Sequence, residues 1–116
     1  MESKKYKYHF RPEYNSKNLL IAFISGVENE NFISDLFNSI IEINPKITEI
    51  SDLWMNDEYL FEIDSDMGTF LYSKDIWDLA FLMSKDNQEC LHKINSILSK
   101  DKKFEKVEVN FNTYKS

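Results

Sequence analysis

The spacing of apolar and polar positions changes along the chain, and each change marks an element. Tyr6, Tyr8 and Phe10 alternate with Lys7, His9 and Arg11 until Pro12 breaks the run. A period of two sends successive side chains to opposite faces of an extended backbone. The flanking residues of this 1–16 segment are polar, so it reads as a loosely held arm or an edge strand, where proline is tolerated. Leu19 to Ile24 is an unbroken apolar run ended by Gly26, the pattern of a buried strand. Phe32, Ile33, Leu36, Phe37, Ile40 and Ile41 then recur at helical spacing, which gathers them on one side of a helix. Asn29 or Asn31 can cap its start. Asn44-Pro45 stops it, because the residue before a proline is pushed out of the helical region.

Three strand-like runs follow. Tyr59, Phe61 and Ile63 alternate with Glu58, Glu62 and Asp64, and Asp64 to Gly68 forms a turn. Thr69 to Tyr72 is the second run, and Ser73-Lys74-Asp75 turns again. In the third, Ile76 to Met83, aromatic content and short flanking turns favour strand over helix. Asp86-x-x-Glu89 has capping-box spacing and opens a second helix with Leu91, Ile94, Ile97 and Leu98 on its apolar face. Lys100, Lys102 and Lys103 suit the negative pole at its end. In Phe104 to Phe111, Val107, Val109 and Phe111 face inward while Lys106, Glu108 and Asn110 face out. These elements predict one α+β domain over residues 1–116: a single layer of mostly antiparallel sheet, about five strands, with two main helices packed on one face.

Composition narrows the class. With 42% hydrophobic and 15% aromatic residues in 116, the chain has apolar surface enough to offset its conformational entropy, which excludes disorder. One cysteine excludes a disulfide framework and a cysteine-rich zinc module. No run approaches the roughly 20 apolar residues that span a bilayer, and Met1 to Lys7 leads into no signal-like apolar region. The expected setting is cytoplasmic, without a membrane partner. A pI of about 4.9 argues against direct binding of nucleic acid, which needs a basic footprint.

The net charge of −6 is unevenly distributed. Between Glu49 and Asp78 lie nine acids and one base, Lys74, a net of −8, while the rest of the chain carries +2. Crowding like charges costs stability, which a basic partner offsets and which also speeds its encounter. A solvated sheet face that aids solubility accounts for the same crowding. As a binding surface the acids would be Asp57, Glu58, Glu62, Asp64, Asp66, Asp75 and Asp78, with Trp54 and Tyr59 as aromatic anchors; Trp77 reads as core.

No chemistry-bearing motif emerges. His9 and His92 are the only histidines, and His92, two residues from Cys90, points elsewhere on a helix. Two glycines cannot build a phosphate loop. Asp64-x-Asp66 fails the calcium-loop spacing, because Gly68 comes one position early and the twelfth position is Asp75. No catalytic residue, metal ligand or cofactor is expected.

Ser65-Asp66-Met67-Gly68-Thr69-Phe70, Ser73-Lys74-Asp75-Ile76-Trp77, Ala80-Phe81-Leu82-Met83, Asp86-Asn87-Gln88, Phe104 to Val109 and Tyr114-Lys115 together resemble a group of small bacterial immunity proteins. These belong to contact-dependent growth inhibition and related polymorphic-toxin systems. The resemblance covers about Trp54 to Lys115 and does not extend to the N-terminal half. It implies an interaction protein and no enzyme: one that binds a cognate toxin C-terminal domain in the cytoplasm. Many such toxins are nucleases with basic clefts that an acidic protein can occupy or flank. The alternative is an acidic cytoplasmic adaptor or regulatory module for another basic protein. A small enzyme using carboxylates of the acidic segment is the third reading.

Overall fold

The computed structural model describes residues 6–12, 18–53, 58–74, 79–84 and 86–109. Strands β1 (Tyr6–Pro12) and β2 (Leu19–Ser25) precede helix α1 (Phe32–Ser39) and a single 3-10 turn, Ile41–Ile43. Strands β3 (Lys46–Leu53), β4 (Glu58–Asp64), β5 (Phe70–Lys74) and β6 (Ala80–Met83) follow, then helix α2 (Gln88–Lys100) and strand β7 (Phe104–Lys106). The seven strands form one sheet in the order β3-β4-β5-β6-β2-β1-β7. Every pairing is antiparallel except β1 with β7. The fold is therefore α+β with a single mixed sheet. These directions make β2 parallel to β3 and β6 parallel to β7, so each helix lies in a crossover between parallel strands.

Both helices cover the same face. The alternation along β1 places Tyr6, Tyr8 and Phe10 there, with Ile21, Phe23, Ile63, Phe70, Tyr72, Ala80, Leu82 and Phe104. Phe32, Leu36 and Ile40 come down from the first crossover, and Cys90, Leu91, Ile94 and Leu98 from the second. Burying each large side chain contributes about 1.5–3 kcal/mol. The aromatic rings pack edge to face: Phe32 stands at 5.2 Å and 76° to Tyr6, and at 5.0 Å and 77° to Phe23. One carboxylate enters this layer. Asp35, 8% exposed, accepts a 2.6 Å hydrogen bond from the Tyr6 hydroxyl and a 3.1 Å contact from Lys103 Nζ, which ties α1 to β1 and to the turn before β7.

Three expectations change. Residues 6–12 of the N-terminal segment are neither a loose arm nor an edge: β1 lies inside the sheet between β2 and β7, and Tyr6 and Tyr8 are fully buried. Its polarity belongs to Lys7, His9 and Arg11 on the far face. β1 was expected as a strand only in the alternative to a loose arm, and β3 not at all, so the sheet has seven strands where about five were predicted. β3 escaped because a β-bulge between Ile47 and Glu49 spaces its isoleucines three apart and hides the period of two. The C-terminal strand is shorter than predicted: regular pairing stops at Lys106, although Val107 N–H still donates to the Tyr8 carbonyl at 2.8 Å. Asn110 and Phe111 lie outside the described residues, as do residues 76–78 of the third predicted run, whose strand begins at Ala80.

The helix starts also differ in detail. Asn87, not Asp86, occupies the cap of α2, and its side chain makes no capping bond. It donates instead to the Met67 carbonyl at 2.5 Å, pinning the β4–β5 turn. That turn is closed by Gly68 N–H to the Ser65 carbonyl at 3.0 Å, with Gly68 at φ +102°, a region that L side chains rarely adopt. At α1, Asn29 Oδ1 accepts from Asn31 N–H at 2.9 Å, and Asn44 in the left-handed conformation ends the 3-10 turn.

Candidate functional site at the acidic side of the sheet

The antiparallel register of β3 on β4 decides which acids meet. Glu49 pairs with Glu62, and Lys46 with Asp64. Alternation from Ile63, fully buried on the helix-covered face, puts Glu62 and Asp64 on the opposite face, and the register sets Glu49 beside Glu62. Like charges directly opposite cost roughly a few tenths of a kcal/mol. Asp66 follows in the turn, where its Oδ2 accepts from Asn44 Nδ2 at 2.6 Å. Asp64 Oδ1 accepts from Thr69 Oγ1 at 3.5 Å. Asn44, Lys46, Asp64, Ser65 and Asp66 line a shallow depression of about 400 Å³.

Glu49, Glu62, Asp64 and Asp66 are all exposed. Among the described residues, the salt bridges lie elsewhere: Lys93 with Glu42, Lys103 with Asp35, and Lys106 with Glu108. The far side of the sheet is different in character. Lys7, His9 and Arg11 occupy this same uncovered face on β1. Between lie Leu20 and Ala22, both buried, paired in register with Met83 and Phe81. The Arg11 guanidinium carbon stands 5.8 Å from the Phe81 ring centre. The uncovered face thus runs from acidic at β3–β4, through an apolar centre, to basic at β1.

The sequence-derived site is divided by this geometry. Glu62, Asp64 and Asp66 come together. Tyr59, 48% exposed, shares the alternation of Phe61 and Ile63 and so lies on the helix-covered face, across the sheet from Glu62. Glu58 supplies its backbone to β4, and its side chain lies outside the described residues, as do Trp54, Asp57, Asp75 and Asp78 entirely. Glu49 joins the acidic group without having been selected. The β-branched cluster Ile47-Thr48 with Ile50 was the signal for its strand.

The remaining reactive side chains have structural surroundings. Cys90 is buried with Ser65 Oγ 4.0 Å from its sulfur; burial pushes the thiol up, and the Ser65 hydrogen bond opposes this. Neither histidine reaches it. His92 packs edge-on against Phe10 at 5.1 Å, and His9 Nδ1 lies 2.8 Å from the Val107 carbonyl oxygen on the other face. Burial, then the Asp35 hydrogen bond and charge, drive the Tyr6 phenol well above its ordinary value; burial and then Glu108 do the same for Tyr8. Among the described residues, no group of three or more His, Cys, Asp or Glu is placed to hold a metal ion. None of their helices is long and apolar enough to cross a membrane. Comparison with protein-family models, curated proteins and solved structures gives no match for the chain.

Proposed function

We propose that the chain is a cytoplasmic immunity protein that binds and neutralises a cognate toxin domain, a basic nuclease, of a contact-dependent growth inhibition or related polymorphic-toxin system. The observation that carries this reading is the unbalanced acidic side of the sheet: Glu49 opposite Glu62, with Asp64 and Asp66 adjoining and no salt bridge to them among the described residues. Such an arrangement is a cost to the free protein that a cationic partner removes, and its field attracts that partner from a distance. Asp57, Glu58, Asp75 and Asp78 belong to the same sequence segment and extend the proposal, with Trp54 and Tyr59 as its aromatic anchors, Tyr59 from the opposite face of the sheet. The protein acts by occupancy, so it needs no cofactor, metal or catalytic group.

The test is growth rescue. The toxin C-terminal domain encoded directly upstream is expressed with and without this protein. The proposal expects rescue, and expects loss of rescue when Glu49, Glu62, Asp64 and Asp66 are changed together to Gln or Asn. Rescue that survives those changes removes the acidic surface from the mechanism. No rescue by the unaltered protein, or no toxin gene upstream, leaves the adaptor reading in its place.

A further inference from the structure

The sheet has two edges, and they are built differently. β7 is three residues long and carries Glu105 and Lys106, a short charged edge of the kind that resists further pairing. β3 is eight residues long, about 26 Å of extended chain. Among the described residues it pairs with β4 alone, leaving one side of its backbone open. Lys46, Ile47, Thr48, Glu49 and Ile50 are all exposed in succession. Ile50 is 61% and Ile47 39% exposed. Lys46 and the bulge beside Thr48 blunt only the start of this edge.

We propose that the open side of β3 is a strand-addition edge whose occupant is an extended segment of the toxin domain in which apolar side chains alternate with Lys or Arg. This rests on the functional reading above and names how the partner is held. The two faces of the edge dictate the alternation. Ile47 and Ile50 are in register with Ile63 and Phe61, so they lie on the helix-covered face, in line with exposed Tyr59. Glu49 and Glu62 lie on the other. A strand added about 4.8 Å from β3 presents successive side chains to these two faces in turn. One set covers Ile47 and Ile50, and the other reaches the carboxylates. A helix cannot satisfy the open N–H and C=O groups of the edge. Two copies joined antiparallel through β3 would adjoin like faces, setting the Glu49 and Glu62 carboxylates of one beside those of the other, a repulsion that a basic segment replaces with attraction.

The experiment is hydrogen–deuterium exchange on the full chain, alone and with the upstream-encoded toxin domain, together with affinities for three proteins. These are the unaltered chain, Ile47→Lys/Ile50→Lys, and Ile24→Lys as control, since Ile24 on β2 is likewise 42% exposed. Circular dichroism first verifies that each variant is folded. The proposal expects β3 amides to slow in the complex, the double variant to weaken binding roughly tenfold or more, and the control to change it less than about twofold. Binding without slower exchange in β3, or with the double variant at full affinity, overturns the edge and leaves the immunity reading intact. No binding at all overturns both. Slowing of β3 that grows with protein concentration in the absence of the toxin domain assigns the edge to a second copy and overturns the basic occupant.

Discussion

Changing Tyr6 to Phe removes one oxygen and leaves the rest of the site as it was. The Tyr6 ring is fully buried and packs against Phe32 at 5.2 Å and Phe104 at 5.0 Å, contacts that Phe retains. What disappears is the 2.6 Å hydrogen bond to Asp35 Oδ2. A hydrogen bond to a charged group contributes about 1.5–3 kcal/mol, and its loss leaves an oxygen of a carboxylate that is 8% exposed less well satisfied. Lys103 holds the other oxygen, but its side chain is 47% exposed, so solvent screens that pair and it compensates little. The expected loss is about 2 kcal/mol. At roughly 4 °C per kcal/mol for a chain of this length, the melting temperature falls by about 8 °C. Urea unfolding reads the same quantity, with a lower midpoint and an unchanged m-value. A double-mutant cycle with Asp35→Ala isolates the pair, with a coupling of about 1–2 kcal/mol expected. A loss below about 0.5 kcal/mol, or additivity in the cycle, refutes the argument that this bond ties α1 to the sheet.

Alkaline pH attacks the same layer. The Tyr6 and Tyr8 phenols are raised above their ordinary value of 10.0, so the folded state holds protons that the unfolded chain releases. Stability from these groups is fully present below pH 10 and falls as pH rises beyond it; equilibrium urea unfolding between pH 8 and 11 checks this, and a stability that stays flat through pH 11 contradicts it. Cys90, buried and with its thiol pushed up, should react with a thiol reagent at pH 8 at least about a hundredfold more slowly in the native protein than in denaturant; equal rates would place it at the surface. Gly68→Ala sets a methyl group in the space of Asn87 Nδ2, at a backbone φ of +102°. The strain and the displaced Asn87–Met67 bond together cost about 2–3 kcal/mol in thermal unfolding, and a loss under about 1 kcal/mol would show that the turn relaxes freely.

What the sequence made legible was the part governed by regular periods. The run Leu19 to Ile24, the spacing from Phe32 to Ile40, and the Leu91, Ile94 and Leu98 stripe each identify an element, but the predicted buried sides reach too far: Ile24 is 42% exposed, and Ile41, past the end of α1 in the 3-10 turn, is 61% exposed. Legibility fails where one physical effect masks another. In β1 the face bearing Lys7, His9 and Arg11 outweighed buried tyrosines, because an interior strand of a one-sided sheet keeps polar residues on its uncovered face. In β3 a single bulge shifted the phase. The parallel pairing of Tyr6 with Phe104 is a contact between distant segments, which no local pattern encodes. The acidic segment was visible as a count, and the alternation of Tyr59 with Glu62 already sets them on opposite faces. Only the register of β3 on β4 brings Glu49 beside Glu62.

Pairing β1 with β7 also governs when the molecule can be finished during synthesis. Strands β3 to β6 pair each with the next in sequence, and β1 pairs with β2, so these pieces can form as they leave the ribosome. The outer side of β1 cannot. Tyr6 is made well before Phe104 and has no paired strand on that side until Phe104 arrives. A nascent chain or fragment ending before Phe104 presents the open flank of β1 together with unshielded aromatic rings. That is the kind of surface to which chaperones and proteases respond, so a copy cut before Phe104 is marked for removal by lacking the contact that closes this flank of β1.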